Sequence, residues 1–197
     1  MRVDLELISN WIKPNSRVLD LACGDGTLLA NLQQHKQISG YGIEIDPDHI
    51  AECIDKGVNV IQTDLDAGLS DFDADSFDYV IITQSLQAMH FPDRLLSEML
   101  RVGQQGIVSF PNMGHWRCRL QFMLRGRMPV TRALDNSWYE TPNIHLCTIS
   151  DFEDLCSEQQ ISILQRAAVD YSHKSGFFLD LFPNLLAEIA LYRIEKK

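Results

Sequence analysis

The sequence predicts an α/β protein whose doubly wound, mostly parallel sheet has seven strands. Short buried runs rich in Val, Ile and Leu alternate with amphipathic segments of helical period through the first two-thirds of the chain. Glycine-containing turns separate several of these elements, and the sequence has no internal repeat or low-complexity segment. With 197 residues the chain can bury a full core, so we expect a single domain over residues 1–197.

The elements can be placed in order along the chain. A helix is expected over residues 1–13, because Leu5, Ile8 and Ile12 share one face and Pro14 ends it. Further helices are predicted at 25–36, 46–57, 92–103 and 149–160. Strands are predicted at 16–22, 39–46, 58–64, 76–86, 105–112 and 161–169, with a last strand within 184–197. Residues 113–145 fit neither period cleanly, so this inserted segment is a candidate lid or partner surface.

Composition excludes several functional classes. The net charge of −10 argues against general binding to nucleic acid or to anionic membranes. We expect no secretory leader, because no charged region followed by an apolar run stands at the start of the sequence, and no apolar run is long enough to span a bilayer. The five cysteines include no CxxC pair, which is typical of reduced thiols in a cytoplasmic protein. The nearest metal-like spacings, HWRC and HLC, form no four-ligand set, so no metal is predicted.

A small-residue turn follows the first strand, in the stretch VLDLACGDGTLL at residues 18–29. Gly24 and Gly26 allow a ligand to lie against the backbone, and the following helix offers free N–H groups. A dinucleotide fingerprint would need a third glycine where Leu29 stands, and no GK[ST] triplet is present for a P-loop. A tight turn that binds no ligand remains the alternative for this loop considered alone.

Acidic residues follow the next two strands. Glu44 lies about twenty residues beyond the glycine turn, where an acid commonly accepts hydrogen bonds from ribose hydroxyls. Asp46 competes for that role, and Glu44 is preferred because it lies at the expected end of the strand. Asp64 ends the third strand, where its side chain can meet the amino edge of an adenine. Each acid alone could equally be a helix cap.

Taken in order, DLACGDG, GIEID, QTDLD and SFDYVIITQSLQ resemble the Rossmann-like fold of the class I S-adenosylmethionine (SAM) methyltransferases. The resemblance implies that SAM or S-adenosylhomocysteine is bound, with Asp20 near the methionyl end, Glu44 on the ribose and Asp64 on the adenine. The implied cofactor set comprises Asp20, Ala22, Gly24, Gly26, Glu44, Asp64, Leu65 and Gln84. The family's first loop glycine is Ala22 here, which we expect to be tolerated because this turn position needs no positive φ.

The chain also resembles the methionine biosynthesis protein MetW family over nearly its whole length, and two longer strings make this resemblance specific. They are IVSFPNMGHWRCRLQFMLRGRMPV and WYETPNIHLCTISDFEDLC. The resemblance implies a role beside a homoserine O-acyltransferase of the MetX type, as a SAM-binding accessory or regulatory subunit. The fold alone favours the alternative of a SAM-dependent methyltransferase acting on a small molecule. No catalytic residue is assigned from the sequence.

Two further segments bear on these alternatives. Arginines cluster between Trp116 and Arg132 in an otherwise acidic chain, with apolar residues at helical spacing. This pattern fits either a helix packed on the core or a docking surface for a protein, since Arg and aromatic residues are favoured at interfaces. Gln87 and His145 are candidates for the acceptor side of a methyltransferase, but glutamine cannot serve as a general base at neutral pH.

Overall fold

A computed structural model describes residues 3–169 and 181–197 of the chain. Seven strands form one sheet in the order β3-β2-β1-β4-β5-β7-β6. The first five run parallel, and β7 lies antiparallel between β5 and β6. The strands are β1 (Arg17–Leu21), β2 (Ser39–Glu44), β3 (Val60–Gln62), β4 (Phe77–Thr83), β5 (Gly103–Pro111), β6 (Ile161–Val169) and β7 (Ile189–Lys196). The predicted doubly wound, mostly parallel seven-stranded sheet is confirmed.

Helices cover both faces of the sheet. They are α1 (Val3–Trp11), α2 (Thr27–Lys36), α3 (Pro47–Asp55), α4 (Pro92–Val102), α5 (Trp116–Arg125), α6 (Ile149–Glu158) and α7 (Pro183–Leu186). One apolar core joins the sheet to α1, α2 and α3. The other joins it to α4 and α6, where Phe110, Phe152 and Tyr192 stack together with ring centroids 4.7 to 6.0 Å apart. No helix in the described ranges is both long and apolar enough to cross a membrane.

Strand order reverses between β1 and β4, and this point sets the position of the site. The chain moves outward from β1 through β2 to β3, then returns to place β4 on the other side of β1. In open parallel sheets such a reversal leaves a crevice beyond the carboxyl ends of the strands. The residues just after β1 and β4, Ala22 and Gln84, both have positive φ, at +51° and +52°. Both strands therefore end in sharp turns beside the crevice.

The fourth strand is shorter than predicted. Its ladder ends at Thr83 rather than continuing to Leu86, because the left-handed backbone of Gln84 turns the chain away. Residues Leu86–Ala88 then form a single 3-10 turn. The predicted strand was too long because its apolar and polar alternation continues through residues whose backbone leaves the sheet.

The segment between β5 and α6 is anchored at its ends by Asn112. The Asn112 amide donates to the carbonyls of Asn184 and Ala187, and its oxygen accepts from the N–H groups of Gly114 and Ile149. The apolar residues at helical spacing in this segment form α5, which ends at a left-handed Gly126. From Gly126 to the start of α6 the described chain contains no further helix or strand.

Candidate functional site

A cavity of about 520 Å³ lies at the carboxyl ends of β1 and β4, beside the strand reversal. Its walls come from α1, the turn after β1, the start of α2 and the turn after β4. The lining residues are Leu5, Asp20, Ala22, Cys23, Gly24, Asp25, Thr27, Leu28, Thr83, Gln84 and Ser85. The location is the one where ligands bind in open α/β sheets.

The glycine turn on this wall is held in place by the buried carboxylate of Glu44. One carboxylate oxygen accepts from the N–H of Gly24 at 2.8 Å. The other accepts from the N–H groups of Ile45 and Asp46, at 2.8 and 3.0 Å. Hydrogen bonds to an ionised group are the stronger kind. Glu44 therefore ties the end of β2 to the loop that forms the cavity wall.

Gly24 and Gly26 differ in what surrounds them. Both have left-handed backbones, with φ of +56° and +71°. A Cβ added to Gly24 would meet nothing within 4 Å, whereas one added to Gly26 would lie 2.8 Å from the Sγ of Cys53. Gly24 thus leaves open space on the cavity wall where a ligand can approach the backbone. Gly26 is required for packing of α3 against the loop.

Asp25 joins the same loop to the end of α3. The Lys56 ammonium donates to the carboxylate and the carbonyl of Asp25, at 2.5 and 2.7 Å, and the Thr27 hydroxyl donates to the carboxylate at 2.6 Å. Partial burial pushes the pKa of Asp25 upward, but the Lys56 and Thr27 hydrogen bonds outweigh it and lower the pKa to about 2. Asp25 is therefore a fixed negative charge at the mouth of the cavity.

The N-terminal helix contributes a contact that the sequence analysis missed. The Gln84 amide donates to the buried carboxylate of Asp4 at 2.8 Å, which joins α1 to the turn after β4. The sequence does show that an acidic residue, Asp4, lies next to the apolar face of the first helix. The sequence gives no sign of its partner, which lies 80 positions away.

The structure gathers only part of the predicted cofactor set around the cavity. Asp20, Ala22, Gly24 and Gln84 line it. Glu44 and Gly26 are not among its lining residues: Glu44 contacts the loop through the N–H of Gly24, and Gly26 packs on α3. Exposed Asp64 caps the 3-10 turn Leu65–Ala67 by accepting from the N–H of Asp66, and buried Leu65 lines a neighbouring cavity of about 300 Å³. Asp46 is exposed and caps α3, which favours Glu44 over Asp46 as the acid at the loop.

The expectation about Ala22 was wrong. Its φ of +51° places it in the left-handed region, where the Cβ of an L-residue crowds the following carbonyl. The turn needs this conformation because the strand ends at Leu21 and the chain must bend at once toward the loop. The next N–H, that of Cys23, donates to the carbonyl of Ile43 at 3.0 Å and fixes the bend.

Neither residue predicted for the acceptor side lines the 520 Å³ cavity. The Gln87 carbonyl accepts from the N–H groups of Ile144 and His145 at 3.0 and 2.9 Å. The side chain of Gln87 is buried, and its amide has no hydrogen-bond partner within the described part of the chain. His145 is exposed. Across residues 3–169 and 181–197, no group of three or more His, Cys, Asp or Glu residues could hold a metal ion.

The apolar side chains of α5 are exposed rather than packed on the core. Met123 and Leu124 have 73% and 70% of their surface open to solvent, and only Cys118 of this helix is buried. Beyond α5, Trp138 and Tyr139 are 74% and 69% exposed and form an edge-to-face pair. Large apolar side chains exposed in such number on a folded chain are typical of an interaction site.

The arginines of the cluster divide into two groups. Arg117 approaches Glu188 at 3.6 Å, and Arg119 donates to the carbonyl of Gly114, so both also hold α5 in place. Arg125, Arg127 and Arg132 are exposed. We refer to residues Trp116–Arg132 as the α5 surface. It presents exposed guanidinium groups beside exposed apolar side chains.

Comparison with solved structures shows which fold the chain has. A SAM-dependent methyltransferase from Archaeoglobus fulgidus matches with a TM-score of 0.67 and 17% identity, covering 99% of this chain and 92% of that one. The [4+2]-cyclase SpnF matches with a TM-score of 0.69 and 18% identity over 99% of this chain and 81% of its own. The chain has the fold of the class I SAM-dependent methyltransferases.

The family follows from the sequence match. The chain belongs to the methionine biosynthesis protein MetW family, whose model matches residues 2–194. A curated relative, the bifunctional methionine biosynthesis protein MetXA/MetW of Rhodopirellula baltica, is 34% identical over 206 aligned positions that include all of this chain. The chain spans only 33% of that relative's length.

We predict that alanine at the two loop glycines has unequal costs. Gly26→Ala should lower the free energy of unfolding by roughly 2–4 kcal/mol, from left-handed strain plus overpacking against Cys53. Gly24→Ala should cost only the strain of about 1–2 kcal/mol. Urea denaturation of both variants measures the difference. Equal losses would mean that Gly26 is not packed against α3 as described.

The strain at Ala22 gives a second prediction. Ala22→Gly should raise the free energy of unfolding by about 0.5–1 kcal/mol, because relief of about 1–2 kcal/mol of left-handed strain exceeds the added entropy of the unfolded chain. Ala51→Gly, at an exposed position of α3, is the matched control and should lower it by about 1 kcal/mol. A destabilisation by Ala22→Gly as large as that of the control would contradict a positive φ at this residue.

Proposed function

We propose that this protein is a SAM-binding accessory or regulatory subunit that acts on a homoserine O-acyltransferase. The observation that carries the SAM site is the open backbone at Gly24, held by buried Glu44 at the strand reversal. An exposed α5 surface supports the role of a subunit. The two features lie on different parts of the chain, so each can be tested separately.

The residues of the crevice fit S-adenosylmethionine. Gly24 offers a backbone without a side chain in the way, and Asp20 lies in the same wall. We propose that Asp20 faces the methionyl end, that Glu44 receives the ribose hydroxyls and that Asp64 faces the adenine beside Leu65. Gln84, fixed by Asp4, would border the sulfonium side. S-adenosylhomocysteine would use the same contacts.

The partner is suggested by the bifunctional relative. Its name joins MetXA and MetW, and this chain aligns with one third of it. Fusion of two proteins into one chain is expected when the two work in contact, because it keeps their local concentration high. We propose that a separate MetX-type homoserine O-acyltransferase docks on the α5 surface. Its contact face should carry acidic groups to match the exposed arginines.

A SAM-dependent methyltransferase acting on a small molecule is the second candidate, and the fold of the structural relatives favours it. Methyl transfer mainly requires that a nucleophile be aligned with the sulfonium. Gln87 supplies no base, and its side chain is buried away from the cavity described above. A purified protein that methylates a small molecule from cell extract, without binding the acyltransferase, would establish this candidate instead.

A SAM site on such a subunit would make the acyltransferase sensitive to SAM. If SAM binds the free and the partnered protein with different affinity, SAM and the acyltransferase must influence each other's binding by the same factor. Such coupling either raises or lowers acyltransferase activity when SAM is bound. Measuring O-acylhomoserine formation by the mixed proteins, with and without SAM, determines both activation and its sign.

The ribose assignment predicts the effect of removing Glu44. Glu44→Ala should weaken SAM binding about ten- to a hundred-fold, because a hydrogen bond to a charged group contributes roughly 1.5–3 kcal/mol. Asp46→Ala is the matched control: it removes only the exposed cap of α3 and should leave SAM affinity unchanged. Titration calorimetry measures both. If Glu44→Ala bound SAM as tightly as the unaltered protein, the proposed ribose contact would be refuted. If the unaltered protein did not bind SAM, the proposed SAM site itself would be refuted.

The docking proposal predicts which surface changes matter. Introducing acidic residues by Met123→Glu with Arg125→Glu should weaken acyltransferase binding and activation about thirty-fold or more, as expected for interface hot spots. SAM binding should not change. Arg119 is left unchanged, because its guanidinium also holds the start of α5 through the carbonyl of Gly114. Ile54→Glu, at an exposed apolar position on α3, is the control and should bind normally. Equal weakening by both variants would refute an interface at the α5 surface.

A further inference from the structure

Two cysteine thiols meet beneath the glycine loop. Cys23 precedes Gly24 in the loop, Cys53 lies in α3, and their Sγ atoms are 3.8 Å apart. Both side chains are buried. The thiol of Cys53 also donates to the carbonyl of Gly24 at 3.2 Å. The backbone of Gly24 is therefore held on one side by Glu44 and on the other by a thiol proton.

Glycines create the space that the two sulfur atoms occupy. A Cβ on Gly42 would lie 2.4 Å from the Sγ of Cys23, and one on Gly26 would lie 2.8 Å from the Sγ of Cys53. The missing side chains of Gly42 in β2 and Gly26 at the start of α2 thus leave room for the two sulfur atoms. The surrounding packing holds these atoms in contact. This packing brings two residues 30 positions apart into a fixed pair.

Of the two thiols, that of Cys23 faces the cavity, where a small oxidant can reach it. Cys23 is one of the residues that line this cavity. Burial, followed by the charges of neighbouring carboxylates, raises the pKa of the Cys23 thiol, and burial also raises that of Cys53. The reactive thiolate is therefore scarce at neutral pH, and oxidation should be slow. A molecule bound in the cavity would cover Cys23.

We propose that Cys23 and Cys53 form a reversible disulfide that releases the glycine loop from its reduced geometry. With hydrogen peroxide as oxidant, the Cys23 thiolate attacks the O–O bond and becomes a sulfenic acid, and hydroxide leaves as water after taking up the thiol proton. The Cys53 thiolate then displaces the second oxygen, which also leaves as water. Two thiols and one peroxide give one disulfide and two waters.

The bond would change the loop in two ways. The sulfur atoms must approach from 3.8 Å to about 2.05 Å, which draws the loop toward α3. Oxidation also removes the proton that Cys53 donates to Gly24. Because the proposed SAM site depends on this loop, the inference rests on the proposed function, and the disulfide should weaken SAM binding about tenfold, equivalent to one lost hydrogen bond.

Peptide mapping tests whether the bond forms. The protein is treated with hydrogen peroxide, free thiols are blocked, and the tryptic digest is analysed without reduction. The expected product links peptide 18–36, which contains Cys23, to peptide 37–56, which contains Cys53, and dithiothreitol releases it. Cys156→Ser, which alters a buried cysteine in α6, is the control and should form the same link. Absence of the link, or a link to another cysteine instead, overturns the proposal.

Calorimetry separates this inference from the proposed function. Oxidised protein should bind S-adenosylhomocysteine about tenfold more weakly than reduced protein, and prior binding should slow formation of the link. Cys53→Ser, which retains a hydroxyl donor near Gly24, should bind with the same affinity before and after peroxide. Equal affinity of the linked and reduced proteins overturns the effect on the loop. Formation of the link in a protein that never binds the nucleoside refutes the proposed SAM site and leaves the disulfide standing.

Discussion

The carboxylate of Glu44 is buried at the end of β2, where it accepts hydrogen bonds from three backbone N–H groups. A buried carboxylate is stable only when such donors surround it. One of these donors is the N–H of Gly24, so the hydrogen bonds that stabilise the carboxylate also hold the loop after β1 in place. The shape of the cavity wall therefore depends on the charge of a residue on the neighbouring strand. Lys56 and Cys53 secure the same loop from the side of α3.

Backbone strain is concentrated at the same place. Ala22 and Gln84 both adopt left-handed conformations directly after the strands that border the crevice. Each such residue costs free energy, and strain of this kind persists only where the surrounding structure enforces it. The hydrogen bond between Gln84 and Asp4 provides part of that enforcement. The two turns open the space between β1 and β4 that a ligand requires.

The features that the sequence predicted correctly are those with a local signal. Hydrophobic period and chain order were enough for the sheet, the main helices and the helical character of α5. The position of Glu44 at the strand end placed it beside the glycine loop, where it accepts from the N–H of Gly24, while its contact with a ribose stays a prediction. The positive φ of Ala22 could not be predicted, because alanine carries no mark of that conformation. The contact between Asp4 and Gln84 depends on how α1 folds back onto the sheet, which local patterns do not encode.

The exposure of α5 was equally hidden from the sequence. The same apolar spacing fits a helix packed on a core and a helix whose apolar side chains are exposed. Only the solvent exposure of those side chains in the folded chain distinguishes the two. In the structure Met123 and Leu124 face solvent, while the cavity lies at the strand reversal. A subunit with a ligand site and a separate docking surface can respond to a small molecule and transmit the response to a partner. This arrangement is the basis of the proposed accessory role.

A crystal structure of the protein with S-adenosylhomocysteine would show whether the cavity at the strand reversal binds this nucleoside. We expect the nucleoside to lie in the 520 Å³ cavity, with Gly24 against the ligand and the ribose within hydrogen-bond distance of Glu44. Density for the ligand only in the neighbouring cavity beside Leu65 and Arg94, or on the α5 surface, would contradict it.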